Sequence, residues 1–459
     1  MQSSLSLTEL AKSILEDAQI LDSFLSSHNL PRPSFVADGV KDFPVGTEHA
    51  DIHVIRHRLI DATKELRDLV VGPKDTIKWM IMNVSNLNSE NYDYLQIFRF
   101  ALSFFSWNDR IMSHDHTLAA SLHAISHFKV AQAVPKEGSI SFAELARATG
   151  LTELDVARFV RRTAINHIFV EPTPGHVAHT ATSALLSADP QMQALVAHMS
   201  EEAFPASARI VDALEMSNGS GEPHNSPFTL AFGTSFFERK VEQPETMHRF
   251  GLAMSSWSEG DGTRQMRDCY DWATLPAGAK VVDLGGALGH ISLGIAERFE
   301  DLEFVVEDQG PLMEQACHLI SSYPDRIAKR VKFLPHDFFQ PQPAEARAAD
   351  AYIMRYILHD WSDTYATKIL KNIFEVMRED SRLIIADAVM PPAGVLPKCQ
   401  EEVLRSFDVS MLAQLNSQER TLEMWKGLIE KSGGGRWKIT GIVSPPKGES
   451  ITILEVKWS

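Results

Sequence analysis

Apolar positions recur at two different periods along this chain, and the change of period divides it. Leu7, Leu10, Ile14, Leu21 and Leu25 keep a helical spacing from about residue 5 to 30, where Pro31 and Pro33 interrupt it. A second helix is predicted from Ala50 to Val71, with Ile55, Leu59, Ala62, Leu66 and Leu69 facing one way, a stripe suited to packing or to an oligomer contact. The aromatic-rich stretch 94–105 reads as core. Between 114 and 190, Ser141 with Glu144 three positions later marks a capped helix start. Gly150 makes a turn, a helix is predicted over 153–168, and two short runs around 172–175 form a wing. That order is a winged helix-turn-helix. Residues 191–260 read as helices around a polar break at 217–223, with Phe250, Met254 and Trp257 in helical phase as core or as a pocket wall. From 261 onward strands alternate with helices through five units, and two final strands at 437–443 and 450–457 pair antiparallel. The fold class is therefore α/β: a doubly wound sheet with a reversed edge strand, preceded by helical and winged-helix regions. Domains are expected at 1–113, 114–190, 191–260 and 261–459.

The segment 279–310 organises the second half. Val281 and Val282 lead through Asp283 into Gly285, Gly286 and Gly289, and a helical pattern then carries Ile291, Ile295 and Phe299. A second apolar run, 304–306, closes on Glu307 and Asp308. A strand, glycine loop, helix and acid-terminated strand form a nucleotide-type site, with the acid placed for ribose hydroxyls. The spacing is G-G-x-x-G rather than G-x-G-x-x-G, and Asp283 would repel a pyrophosphate. An amino-acid-bearing nucleoside such as S-adenosylmethionine suits the loop better.

Charge narrows the partners. The 459 residues are 44% hydrophobic and carry a formal net charge of −16, which disfavours nucleic acid and anionic membranes. Recognition of DNA through Arg158, Arg161 and Arg162 of the winged region is set against a scaffold role in which they are solvated or ion-paired. Cys269, Cys317 and Cys399 are scattered without metal spacing and fit buried thiols in a reducing compartment; no metal is expected. The polar first residues and the lack of a long apolar run make the cytoplasm the expected location.

In a doubly wound sheet the ligand lies beyond the carboxyl ends of the strands, which singles out Asp283, Asp308, Asp337, the residues after Arg355, and Asp387. His359 follows the fourth strand and is the side chain suited to take a proton near neutrality. An acid must hold one ring nitrogen, and Asp387 or Glu419 can do so; either could instead be an ordinary surface or capping acid.

Seven ordered segments, VVDLGGALGH, EFVVEDQG, LPHDFF, YIMRYILHDWSD, LIIADAVMP, FDVSMLAQ and QERT, resemble the plant and fungal S-adenosylmethionine-dependent O-methyltransferases, above all the fungal secondary-metabolite branch. The likeness covers about 115–459, where the 128–180 region resembles that family's winged-helix dimerisation domain. It implies a class I methyltransferase Rossmann-like sheet, S-adenosyl-L-methionine as cofactor, a homodimer and a small-molecule substrate. It implies that the glycines cradle the cofactor's methionine end, that Asp308 takes the ribose, and that Asp337 with Phe338 faces the adenine. Arg355 stands where a lysine is usual. His359 matches the catalytic base, flanked by Asp387 and Glu419, and Met254, Met411 and Gln414 match or adjoin substrate positions. The chain departs from the pattern at Ala287-Leu288, at Gln309-Gly310 and at Asp387, a shorter acid than the usual glutamate.

Two reactions fit this resemblance. One is methylation of a phenolic or enolic hydroxyl with His359 as base. The other is pericyclic ring formation, in which the sulfonium is only a fixed charge and His336 can donate a hydrogen bond. The intact His359-Asp360-Trp361 favours the first.

Overall fold

The computed structural model describes residues 6–33, 40, 43–46, 48–85, 115–258, 262–444 and 451–459. The aromatic stretch 94–105 and the side chain of Trp257 lie outside what it describes.

The chain opens with the helix Leu7–Ser27, started by a capping box in which Ser6 and Glu9 satisfy each other's backbone N–H. It packs against the helix Ala50–Val71 through Leu21, Leu25, Val45 and Ile52. Arg58 crosses this contact and donates from Nε to the buried Asp17 carboxylate at 2.7 Å. The far end of the second helix is not covered: Leu69 is 44% and Val70 68% exposed.

In the helical body Ile77, Leu118, Leu122, Val160, Leu195 and Ala253 are buried together in a core. A three-stranded antiparallel sheet joins it: β1 (Ile140–Ser141), β2 (Val170–Thr173) and β3 (His176–Ala178), in the order β1-β3-β2. The helix Phe142–Thr149 starts on the Ser141–Glu144 capping box. The next helix, Glu153–Ala164, stops four residues short of the predicted 168. The Thr163 carbonyl there accepts the N–H of both Asn166 and Ile168, and His167 and Phe169 take positive φ. All three arginines of that helix are engaged within the chain: Arg158 with Asp155, Arg161 in a two-pronged pair with Glu171 at 2.8 Å, and Arg162 with Thr117.

The large sheet contains β4 (Lys280–Leu284), β5 (Glu303–Asp308), β6 (Val331–Pro335), β7 (Ala351–Arg355), β8 (Arg382–Met390), β9 (Arg420–Thr421), β10 (Trp437–Val443) and β11 (Ile451–Trp458). The order is β10-β11-β8-β7-β4-β5-β6, with short β9 beside the end of β8. Strands β4 to β8 pair in parallel, and β11 runs antiparallel to both β8 and β10. The expectation of a reversed edge strand is thus corrected: β11 is inserted between β8 and β10, and β10 is the edge. The cause is visible in side-chain pattern. Ile451 to Leu454 are buried on both faces, as an interior strand requires, whereas β10 after the buried Trp437 alternates exposed and half-buried positions. Two apolar layers cover the sheet, one around Trp272, Ile291 and Ile295, the other around Ile369, Trp425 and Trp437.

Two of the three thiols depart from expectation too, and the side chain of Cys399 lies outside what the structure describes. Cys317 is exposed and Cys269 half-buried, because the helix Gly310–Leu319 buries Met313 and Ala316 and turns the next position outward.

Candidate active site

Beyond Leu284 the backbone reverses through Gly285 (φ +68°), Ala287 (φ +48°) and Gly289 (φ +78°) into the helix His290–Arg298. Side chains would collide in this reversal. A Cβ on Gly285 would stand 2.3 Å from Ile357 Cδ1, and one on Gly286 2.7 Å from Val306 Cγ1. Ala287 accepts a left-handed conformation that costs an L-residue roughly 1–2 kcal/mol. Its N–H donates to Asp308 Oδ2 at 2.9 Å, which offsets part of that cost. Asp308 also accepts the Gln309 N–H at 2.7 Å. A carboxylate has about four acceptor positions, so others remain for hydroxyl donors. Asp283 lies buried beneath the loop and accepts the Ser292 hydroxyl at 2.7 Å. Burial pushes its carboxyl up to about 6, against the opposing pull of Ser292 and Arg355.

The turn after β6 flanks the loop. The His336 N–H donates to the Asp308 carbonyl at 3.0 Å, and burial lowers its imidazole. Phe338 lies over Gly285, whose Cβ would fall 3.9 Å from the Phe338 ring edge. The exposed Asp337 accepts the Phe339 N–H at 2.9 Å and so closes its own turn. At the end of β7, the Arg355 guanidinium stands 4.7 Å over the Tyr356 ring, and its charge reaches Asp283 and Asp387.

His359 occupies the short turn Leu358–Asp360 after β7 and is buried. Its Nδ1 is 2.8 Å from Glu419 Oε1, its Nε2 is 3.4 Å from Asp360 Oδ1, and its ring stacks on Tyr356. Burial alone would lower the imidazole, but the charges of Glu419 and Asp360 outweigh it and push it up to about 10. The two acids left open by sequence separate here. Glu419 holds the ring. Asp387 is wholly buried, yet neither carboxylate oxygen has a hydrogen-bond partner among the described residues, and burial pushes it up to about 7. It belongs to the body of β8, which runs on to Met390, and does not lie at that strand's end.

Neighbours that the motifs did not single out hold this turn. Arg420, fully buried, donates to the carbonyls of Leu358 and Trp361 at 2.7 Å each and to Asp363 at 2.9 Å. The Ser417 hydroxyl donates to the His359 carbonyl. Arg420 adjoins Glu419 in QERT, and an arginine beside a candidate acid was the available signal.

Phe250 and Met411 come together in one aromatic cluster with Phe228, Phe236 and Phe237. The Phe237 ring stacks on Trp361 at 5.3 Å, two residues beyond His359. Gln414, on the helix Lys398–Leu415 that packs against the His359 turn, donates to Ser410. Met254, one turn beyond Phe250 on the helix Pro244–Ser258, packs against the core of the helical body. The polar break is docked as well: Glu222 accepts from the Tyr365 hydroxyl at 2.7 Å, and its carbonyl from Asn416. Under the aromatic cluster lies a buried ionic group. Glu202 accepts from Lys240 at 2.7 Å on both oxygens, stands 2.8 Å from His198 Nδ1 and is 3.4 Å from Arg249.

Residues 212–434 match the family model of the O-methyltransferase domain. The chain is 33% identical to O-methyltransferase pyvH of Aspergillus violaceofuscus over 464 residues, covering 98% of each. It superposes on mitomycin 7-O-methyltransferase MmcR with a TM-score of 0.64 at 26% identity, covering 80% of this chain and 98% of that one. LepI in complex with S-adenosylmethionine shares the fold at 19% identity, with a TM-score of 0.64 and coverage of 98% and 100%. A glycine loop with an acid on either side, an anchored histidine at the next strand's end and these relationships lead to one statement: the chain belongs to the S-adenosylmethionine-dependent O-methyltransferase family.

Proposed function

We propose that this protein methylates a phenolic or enolic hydroxyl of a small, polyketide-like secondary metabolite, with His359 as general base. One observation carries the reading: a buried histidine whose Nδ1 is held by Glu419 at 2.8 Å, which leaves Nε2 as the nitrogen that exchanges a proton. With Nδ1–H donating to Glu419, neutral His359 presents a lone pair at Nε2, and Glu419 stabilises the imidazolium that forms.

S-adenosylmethionine fits the loop region by its donor set. Asp283 suits the ammonium of the methionyl part, since a cation there favours the ionised form that burial opposes. Asp308 suits the ribose diol, Phe338 and Asp337 the adenine, and Gly285, Gly286 and Gly289 give the backbone close approach. The bound cofactor supplies an electrophilic methyl group on a sulfonium. Phe250, Met411 and Gln414 line the acceptor side, and the aromatic cluster excludes water from the reacting oxygen. In this reading Met254 supports the helical body, His336 buttresses Asp308, and Asp387 lies close enough to act on His359 through its charge. Incubation with methyl-labelled cofactor and a panel of phenols tests the assignment. Label in the product supports it, whereas ring closure without cofactor consumption would replace it with pericyclic chemistry.

A base held up to about 10 is charged at neutral pH, so kcat/KM should rise with pH toward an alkaline limb. Glu419→Gln removes the main anion that retains the proton and should move the limb to lower pH for the same acceptor. An unmoved limb would break the link between His359 and Glu419.

Residues 1–113 and 114–190, the latter as a winged helix, serve in this reading to pair two copies, with 191–260 lining the pocket and 261–459 binding the cofactor. The uncovered end of the helix Ala50–Val71 supports pairing. Sedimentation equilibrium should give twice the chain mass, and Val70→Lys should weaken the dimer; a monomer at all concentrations would exclude pairing.

A further inference from the structure

We propose that His123, His127 and Glu201, none of which has a part in the methyl-transfer reading, form a site for a divalent transition metal of the zinc or nickel class. The two histidines stand one turn apart on the helix Asp115–His127, so their imidazoles share a face. Glu201 reaches them from the π-helical turn Met199–Ala203, where the consecutive acids Glu201 and Glu202 share Arg249 but otherwise face different groups. Glu202 turns into the buried group with Lys240, while Glu201 meets the histidines. One ligand atom from each of the three lies within 4.8 Å of the other two, a grouping found once among the described residues.

His127 Nδ1 and Glu201 Oε1 stand 4.0 Å apart. Tetrahedral ligands about 2.0–2.1 Å from zinc stand roughly 3.4 Å apart, so closure takes side-chain movements of about an ångström. His127 is 61% exposed and has room for them. Arg249 donates to the other oxygen, Glu201 Oε2, and orients the carboxylate as an outer-shell partner while leaving Oε1 to the histidines. Two imidazoles and one carboxylate with solvent in the fourth position suit zinc, nickel or cobalt; magnesium and calcium prefer an all-oxygen shell. A metal here would tie the helix Asp115–His127 to the turn Met199–Ala203.

Calorimetric titration of the full-length, chelator-treated protein with zinc chloride should show a single saturable site per chain. His127→Ala and Glu201→Gln should each weaken it by about tenfold or more. His318→Ala, an exposed histidine on the helix Gly310–Leu319, should leave it unchanged. Cobalt in place of zinc should give the visible absorption of a four-coordinate ion, lost in His127→Ala. Circular dichroism of each metal-free variant checks folding, and the exposure of His127 keeps that variant informative. No zinc binding, binding as tight in both ligand variants as in the parent, or equal competition by magnesium overturns the proposal.

Discussion

Replacing His359 by alanine is expected to lower methyl transfer by about 10²–10⁴-fold while S-adenosylmethionine binding, measured by calorimetry, stays near that of the parent. The magnitude is that of a lost general base. A phenol with a pKa near 10 is mostly neutral at pH 7, so its attack on an electrophilic methyl is slow unless the proton leaves as the bond forms. The separation of effects follows from position. His359 belongs to the turn after β7 and binds Glu419, whereas the glycine loop is built on β4 and braced by Asp308 from β5. Equal turnover in His359→Ala would remove the base assignment. An equal loss of cofactor affinity would make the histidine a part of the cofactor site instead.

Glu202→Ala should lower stability by roughly 3–5 kcal/mol by urea unfolding, because it strands a buried cation. Lys240 is 1% exposed and has both its Glu202 contacts at 2.7 Å, and His198 and Arg249 share the same carboxylate. Lys240 also stands 4.7 Å over the Phe236 ring, so its displacement would disturb the cluster holding Phe250 and Met411. Burial alone would raise the Glu202 carboxyl, but His198 and Lys240 outweigh it and hold it down at about 2. The sign follows from a depressed folded-state value. The contribution is complete above the ordinary value of 4.5 and is lost as pH falls from there toward 2. The gap between parent and variant should therefore narrow in acid. A loss below about 1 kcal/mol, the scale of an exposed pair, would show that the group is solvated in solution.

How far the sequence could be read depended on whether the signal was local. Helix limits at Ala50–Val71, the Ser141 capping box and the strand Trp437–Val443 follow from periodicity and capping chemistry, which act over a few residues. The order of the last two strands did not follow, because adjacency in a sheet is a long-range choice. Burial of β11 on both faces decides it. The end of helix Glu153–Ala164 was missed for a similar reason: Thr163 receives two N–H groups from a turn whose positive φ values no pattern marked.

The candidate site divides along the same line. Its chemistry was set by residue order alone: Gly285, Gly286 and Gly289 between two acids, and His359 beyond a buried strand. Which acid would hold the histidine was not. Asp387 and Glu419 are both acids in sequence, and only the three-dimensional path of β8, β9 and the turn Leu358–Asp360 brings Glu419 to 2.8 Å and leaves the Asp387 carboxylate without a hydrogen bond among the described residues. Arg420, Lys240 and Glu202 depend on tertiary structure even more fully. A charged side chain reads as solvent-facing until the fold surrounds it, and burial turns it into an interaction the local environment must satisfy. Sequence determined the kinds of groups and the elements that carry them. Tertiary structure decided which of those groups meet, because hydrogen bonds and ion pairs act over a few ångströms that chain order does not encode.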